Sequence, residues 1–486
     1  MRPDPAGPGT AGPAAGPVPD FAAVRAEFDL PERFPPDVLA EAARVASAPA
    51  GGDRVDATGV ELVTIDPPGS MDLDQALGVT RSGSGFRVHY AIADLGAVVA
   101  PGGALDAEVR RRGQTFYLPD GSVPLHPPVL SEGAASLLPD EPRAAVLWTL
   151  DLDPGGEITT VDVRRATVAS RARLDYAGVQ ADVDGGRVHP AIAALPELGP
   201  LRRALAVRRG AIELELPEQE VLPDGAGGWT VRVRRRVDVE AWNAEISLLT
   251  GMAAGAMMLD AGVGLLRTLP APEPGALESF ARTARDLGFA AAGRPTVHQV
   301  AGLLVGLPQD SAPALALRRA ATALLRGAGY TAFDSMAGTQ PPADPGHGGI
   351  GAPYAHVTAP LRRLADRFGT EVCLALAAGE ELPDWLRAAL PAQPEIMEVS
   401  DGRAAQVDRA CVDRTEAAML AGRVGEEFEV VVLRPADAGG SGEVYLADPP
   451  VLARCAGPLA AGAVTSVRLV QADPATGRID FAATGS

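Results

Sequence analysis

The sequence predicts an α+β protein: a β-sheet core flanked by helices, followed by a small OB-type β-barrel. Three observations carry this. From Gly59 to about Arg171 apolar residues alternate in runs joined by Gly-rich turns, the pattern of half-buried hairpins. From Leu201 apolar residues recur at helical spacing. From Glu426 to Phe481 short runs return, F-E-V-V-V-L, G-E-V-Y-L, V-T-S-V-R-L-V and R-I-D-F, which suit a small closed barrel.

The elements follow in chain order. Residues 1–20 are rich in Pro, Gly and Ala and are expected to be a disordered tail. A short helical segment, 21–58, is expected next, with two helices around L-P-E-R-F-P-P. The hairpins come from F-R-V-H-Y-A-I-A-D, with S-G-S-G as the turn before it, and from A-V-L-W-T-L-D-L joined through D-P-G-G to E-I-T-T-V-D-V-R-R-A-T-V. His89 lies inside the first of these strands and reads as packing. A strand pair is expected around Ile212–Leu216 and Thr230–Arg235. Helices are expected over Val239–Met258, Gly275–Leu287 and Pro313–Arg326. Pro360 is expected at the first position of a helix reaching about Ala377. A connecting helix, 395–424, then leads to the barrel, 425–486, and the main domain is 59–394.

Composition bounds the function. The chain has 486 residues, 47% of them hydrophobic, enough for a large core. No apolar run reaches membrane-spanning length, and no apolar leader opens the chain. Cys373, Cys411 and Cys455 are isolated, which fits a reducing, cytoplasmic setting without structural zinc. The net charge is −19, the wrong sign for broad adhesion to duplex DNA, although a local basic channel can still focus field. All 43 basic residues are Arg. Schiff-base chemistry and a P-loop lysine are thereby excluded, and guanidinium is left as the phosphate ligand.

The densest chemistry lies in V-T-I-D-P-P-G-S-M-D-L-D-Q-A-L, Val63 to Leu77. A short β-branched strand breaks at Pro67, Pro68 and Gly69, and Asp66, Asp72 and Asp74 crowd the turn. Like charges so close raise one another's pKa unless a cation sits among them. A hard divalent ion, Mg2+ first and Mn2+ as substitute, suits such oxygens. An ordinary solvated turn is the competing reading. An EF-hand loop is excluded because the twelfth position is Leu77 or Gly83, not Glu.

This stretch, with H-Y-A-I-A-D (His89–Asp94), R-G-Q-T-F-Y-L-P (Arg112–Pro119) and Y-A-H-V-T-A-P-L-R-R-L-A-D (Tyr354–Asp366), resembles the ribonuclease II (RNB) family of 3′→5′ exoribonucleases, in the family's order and spacing. The resemblance implies an RNB-type catalytic domain and a metal-dependent, processive enzyme that releases nucleoside 5′-monophosphates from single-stranded RNA. The family commonly carries cold-shock-type barrels before its catalytic domain, which this chain is expected to lack; it is expected to act as a monomer with no membrane or duplex DNA partner. On it, Asp66, Asp72 and Asp74 occupy three of four metal-site carboxylate positions and Gln75 the fourth, as a neutral amide. Arg362 stands at the catalytic arginine, alongside Asp74 as the second catalytic residue. Tyr117 stands at the aromatic that stacks on the terminal base, and Leu214 at the opposite jaw. Glu245 would face the ribose, Arg363 a phosphate, and Tyr354 and Thr358 the RNA channel. The competing readings are a surface ion pair with Asp366 for both arginines, and a core side chain for Tyr117. An RNA-end-binding protein with weak catalysis and a small-phosphoester hydrolase are the alternative functions.

Overall fold

A computed structural model of the protein describes residues 17–48, 53–214, 216, 218–234, 236–308, 311–436 and 440–484. Most of the Pro/Gly-rich stretch expected over 1–20 lies outside these. The chain forms two compact units. One comprises Phe28–Leu216 and Arg235–Gln406; the other takes Met1–Glu27, Pro217–Arg234 and Val407–Ser486.

The first unit is built on a six-stranded sheet. Leu62–Asp66, Gln75–Ser82, Gly85–Ala93 and Pro142–Leu152 run antiparallel to their neighbours. The 18-residue strand Ile158–Asp175 pairs with both ends of this run, parallel to Leu62–Asp66 and antiparallel to Pro142–Leu152. The two hairpins expected from alternation are present, in register Val79↔Val88 and Leu147↔Arg164. Trp148, Tyr90, Phe86 and Leu77 are fully buried between this sheet and the helices.

Two helices cover the sheet and carry the site. Asp238–Ala261 is apolar nearly all round and ends at Gly262 in the left-handed conformation, φ 71°. Gly251 and Gly255 let it approach the chain closely: a Cβ on Gly251 would lie 2.1 Å from the Tyr354 ring, and one on Gly255 2.9 Å from the Tyr354 backbone nitrogen. The second helix, Leu364–Ala378, begins four residues later than the Pro360 start expected from sequence. Pro360 lies instead in the turn before it. Helices Pro274–Asp286, Val297–Val305 and Ala312–Ala321 share a separate small core around Phe280 and Leu317.

In the second unit, strands Glu427–Arg434, Ser441–Ala447, Pro450–Ala456, Val464–Asp473 and Arg478–Ala483 form a closed barrel. Pro450–Ala456 is the strand that the sequence pattern did not single out. The hairpin expected over Ile212–Leu216 and Thr230–Arg235 forms between Glu218–Pro223 and Trp229–Arg234 instead. The long helix Gln393–Leu420 has residues in both units. No helix among the described residues is long and apolar enough to cross a membrane.

Candidate active site

The carboxylate loop is held by its apolar member. Leu73, fully buried, donates its N–H to Ser136 Oγ at 3.0 Å and accepts from Leu137 N–H at 3.0 Å. Ser136 Oγ in turn donates to the Met71 carbonyl at 2.6 Å. Arg173 reaches the Ser70 carbonyl at 3.2 Å. Gly69 makes the turn at φ +86°, a conformation closed to most side chains. With Leu73 anchored inward, its neighbours Asp72 and Asp74 have fixed backbones from which to project.

Asp74 is 3% exposed. Its Oδ1 accepts the Leu361 N–H at 2.6 Å, and Arg362 Nε stands 3.4 Å from its Oδ2. Burial pushes its carboxyl up to about 8, against the pull of Arg362 and the Leu361 N–H. Asp66 ends its strand. Burial, then the Asp72 charge, pushes its carboxyl up to about 6, with Arg362 opposing. Asp66 Oδ2 is buried and has no hydrogen-bond partner.

The arginine segment is braced from below. Asp366, fully buried, accepts two bonds from Arg363, each at 2.8 Å, and the Ala359 N–H at 2.6 Å. Arg363 is thus committed to Asp366, as in the competing reading, while Arg362 remains 42% exposed beside Asp74. The R-G-Q-T-F-Y-L-P block lies against the same turn: Thr115 N–H donates to the Arg362 carbonyl at 3.0 Å and Leu364 N–H to the Gly113 carbonyl at 3.0 Å. That contact carries Tyr117, half exposed, to the acidic loop, where its hydroxyl donates to Asp72 Oδ2 at 2.7 Å.

Asp66, Asp72, Asp74, Arg362 and Tyr117, from three separate blocks of sequence, are therefore brought together. Gln75 opens its strand opposite Ile92, and its amide is not hydrogen-bonded to any of the three aspartates. Other expected residues are placed elsewhere. Tyr354 is 5% and Thr358 4% exposed, so neither lines an open channel. Tyr354 is wedged against the Asp238–Ala261 helix at Gly251 and stacks edge-on to His356 at 5.2 Å. Leu214 is half-buried against the small core of Ile212, Phe280 and Val300. Glu245, 7% exposed, faces away from the site: its Oε2 lies 4.0 Å from Arg209, and burial raises its carboxyl against the pull of Arg202 and Arg209.

The same helix supplies what the sequence reading missed. At 100° per residue, Asn243 points about 200° away from Glu245, and Ser247 shares the Asn243 face. Ser247 Oγ meets the Tyr90 hydroxyl at 2.5 Å. Asn243 lies beside Tyr176, whose phenol is pushed up by burial and then by the Asp66 charge. Asn243 is 5% exposed and its Oδ1 has no partner. These four side chains form a polar wall beside Asp66. The signal was the i, i+4 pair of small polar residues in an otherwise apolar helix.

Comparison with known proteins shows the family. The RNB domain family matches residues 54–369, and the RNase II-type exonuclease C-terminal S1 domain family matches 426–484. The chain belongs to the RNB family. Ribonuclease R of Escherichia coli is 31% identical over 327 residues, covering 64% of this chain and 39% of that one. The chain spans less than half the length of that relative. Among solved structures, Mycoplasma genitalium RNase R in complex with ribose methylated single-stranded RNA superposes with a TM-score of 0.85 at 19% identity, over 95% of this chain and 77% of that one. Yeast Ssd1, a pseudonuclease, superposes at 0.67 with 16% identity, over 83% and 50%. These likenesses establish the RNB fold.

The donor set fits a divalent metal by its chemistry. Three carboxylates lie on one loop, two of them held above their ordinary range, and one buried oxygen lacks a partner. Among the described residues no three Asp, Glu, His or Cys already stand at ligating distances of one point. Two of the carboxylates accept hydrogen bonds, Asp74 from the Leu361 N–H and Asp72 from the Tyr117 hydroxyl.

Proposed function

We propose that this RNB protein is a metal-dependent, processive 3′→5′ exoribonuclease that removes nucleoside 5′-monophosphates from single-stranded RNA, with Mg2+ as the ion and Mn2+ as substitute. The observation that carries the reading is the buried, unpartnered Asp66 Oδ2 in a site where Arg362 stands against Asp74. Asp66, Asp72 and Asp74 would hold the metal, with Gln75 as a neutral fourth donor. When bound, the ion supplies an activated water and charge relief on the phosphate.

The chain's own groups supply the rest. Water attacks the terminal phosphorus, the bond to the 3′ oxygen breaks, and that oxygen takes up a proton. Arg362, partly exposed and already directed at Asp74, meets the charge that builds on the phosphate and leaving oxygens. The exposed Tyr117 ring offers a stacking face to the terminal base. Asn243 Oδ1, buried without a partner, would accept a hydrogen bond from the ribose 2′-OH, the group that separates RNA from DNA. The sugar role expected of Glu245 thus passes to Asn243 with Tyr176. Arg363, Tyr354 and Thr358 support the site from within. Leu214, expected as the opposite jaw of the base clamp, is half-buried against the helical core.

Gln75 favours a second reading, an RNA-end-binding protein with weak catalysis, because it removes one negative charge from the metal site. A time course on 5′-labelled RNA with free or 3′-phosphorylated ends, with Mg2+, separates the two. The enzyme shortens free ends stepwise and stalls on the blocked ones. A binding protein leaves both intact.

A further inference from the structure

Asp72 differs from its neighbours in how it is held. The Met71 carbonyl and the Leu73 N–H are pinned by Ser136, and Asp74 by Leu361 and Arg362. The Asp72 side chain projects from the rim of the loop, half-buried, and the Tyr117 hydroxyl at 2.7 Å is the donor that fixes it. We propose that the Tyr117 hydroxyl is a positioning group for the Asp72 carboxylate in metal binding, so that one side chain orients a metal ligand through its oxygen and presents the base-stacking face through its ring.

The chemistry suits the role. A carboxylate has about four lone-pair directions. One bond to Oδ2 therefore orients the group and leaves oxygen free for a cation. Outer hydrogen-bond partners of metal-bound groups act this way, and their loss typically weakens metal affinity by about 10–100-fold. The arrangement ties register to chemistry. A base stacked on the Tyr117 ring has its phosphate placed relative to the carboxylate that the same residue orients.

This inference rests on the metal-dependent reading above, and its test keeps the two apart. Mn2+ binding to the RNA-free protein is followed by the paramagnetic resonance of free Mn2+, for wild type, Tyr117→Phe and Tyr117→Ala. RNA affinity is measured separately in chelator. Tyr117→Phe keeps the ring and, at a half-exposed position, the fold. It is expected to weaken Mn2+ binding about 10-fold while metal-free RNA affinity stays at the wild-type value; Tyr117→Ala is expected to weaken both. Wild-type Mn2+ affinity in Tyr117→Phe overturns the positioning role and leaves the metal reading standing. Equal weakening of Mn2+ and metal-free RNA binding by Tyr117→Phe also overturns it, as general damage. Absence of Mn2+ binding by the wild type overturns the metal reading and this inference with it.

Discussion

Asn243 and Glu245 lie two residues apart on one helix and serve opposite sides of it. Asn243 lies beside Tyr176 on the Asp66 side, whereas Glu245 is turned toward Arg209, 4.0 Å away. Substitutions at the two positions therefore have different consequences. Asn243→Ala removes the free acceptor, and the rate on RNA should fall about 10-fold, the worth of a single hydrogen bond, while the slow rate on single-stranded DNA is unchanged. Glu245→Ala leaves Arg209 without its acidic neighbour. It should lower the unfolding temperature and keep the RNA-to-DNA rate ratio. Rates on matched RNA and DNA oligonucleotides check both, and a changed ratio in Glu245→Ala would return the sugar role to that residue.

Gln75→Asp restores a fourth carboxylate. Two unit charges a few Å apart interact by about 4 kcal/mol at an effective dielectric near 20. Desolvation cancels much of this, leaving roughly 1–2 kcal/mol, about ten-fold in metal affinity. The half-saturating Mg2+ concentration of the variant should therefore be lower than that of the wild type. An added charge next to Asp74, already pushed up to about 8, can delay that gain to alkaline pH, so the titration is run at two pH values. An unchanged or higher requirement at both would place Gln75 outside the metal site.

The barrel-bearing unit has its own titrating group. Glu416 is 1% exposed; burial pushes its carboxyl up to about 8, against hydrogen bonds from Gln219 and the Leu452 N–H, while Asp413 adds to the rise. Between the ordinary value of 4.5 and about 8, the folded unit keeps a proton that the unfolded chain has released. Stability from this group is full below that window and is lost as pH rises through it, at up to about 1.4 kcal/mol per pH unit. Glu416→Gln has no charge to bury, so its unfolding midpoint should decline less than the wild type's from pH 6 to 9. Parallel declines in thermal melts would show that Glu416 is ionised throughout.

Local chemistry was legible in the sequence, and helix phase was not. The Val63–Leu77 loop could be read because Pro67, Gly69 and the aspartates act through their own backbone and charge. Both hairpins of the sheet declared themselves by alternation. The face presented by Glu245 could not be read, because an apolar helix carries no stripe to orient it; only the arginines of Leu195–Arg209 reveal that side. Tyr354 looked available until Gly251 and Gly255 showed how closely a helix lies over it. Arg363 and Arg362 are adjacent and alike in sequence. Buried Asp366 separates them, taking both bonds from Arg363 and leaving Arg362 to Asp74. Strand Pro450–Ala456 was hidden behind Pro449 and Pro450, which argue locally against a ladder.

The central claim is that Asp74 and Arg362 belong to a catalytic site whose RNA-binding surface is separable from its chemistry. The most direct measurement pairs binding and cleavage of one 3′-end-labelled single-stranded RNA in Mg2+, by wild type and Asp74→Asn. The wild type should release the label as a nucleoside 5′-monophosphate. Asp74→Asn keeps the shape but cannot ionise toward a metal, so it should bind the RNA with unchanged affinity while the rate falls at least about 10²–10³-fold, as for loss of a preorganised electrostatic group. Equal loss of affinity and rate, or label released by the variant at the wild-type rate, would contradict the account.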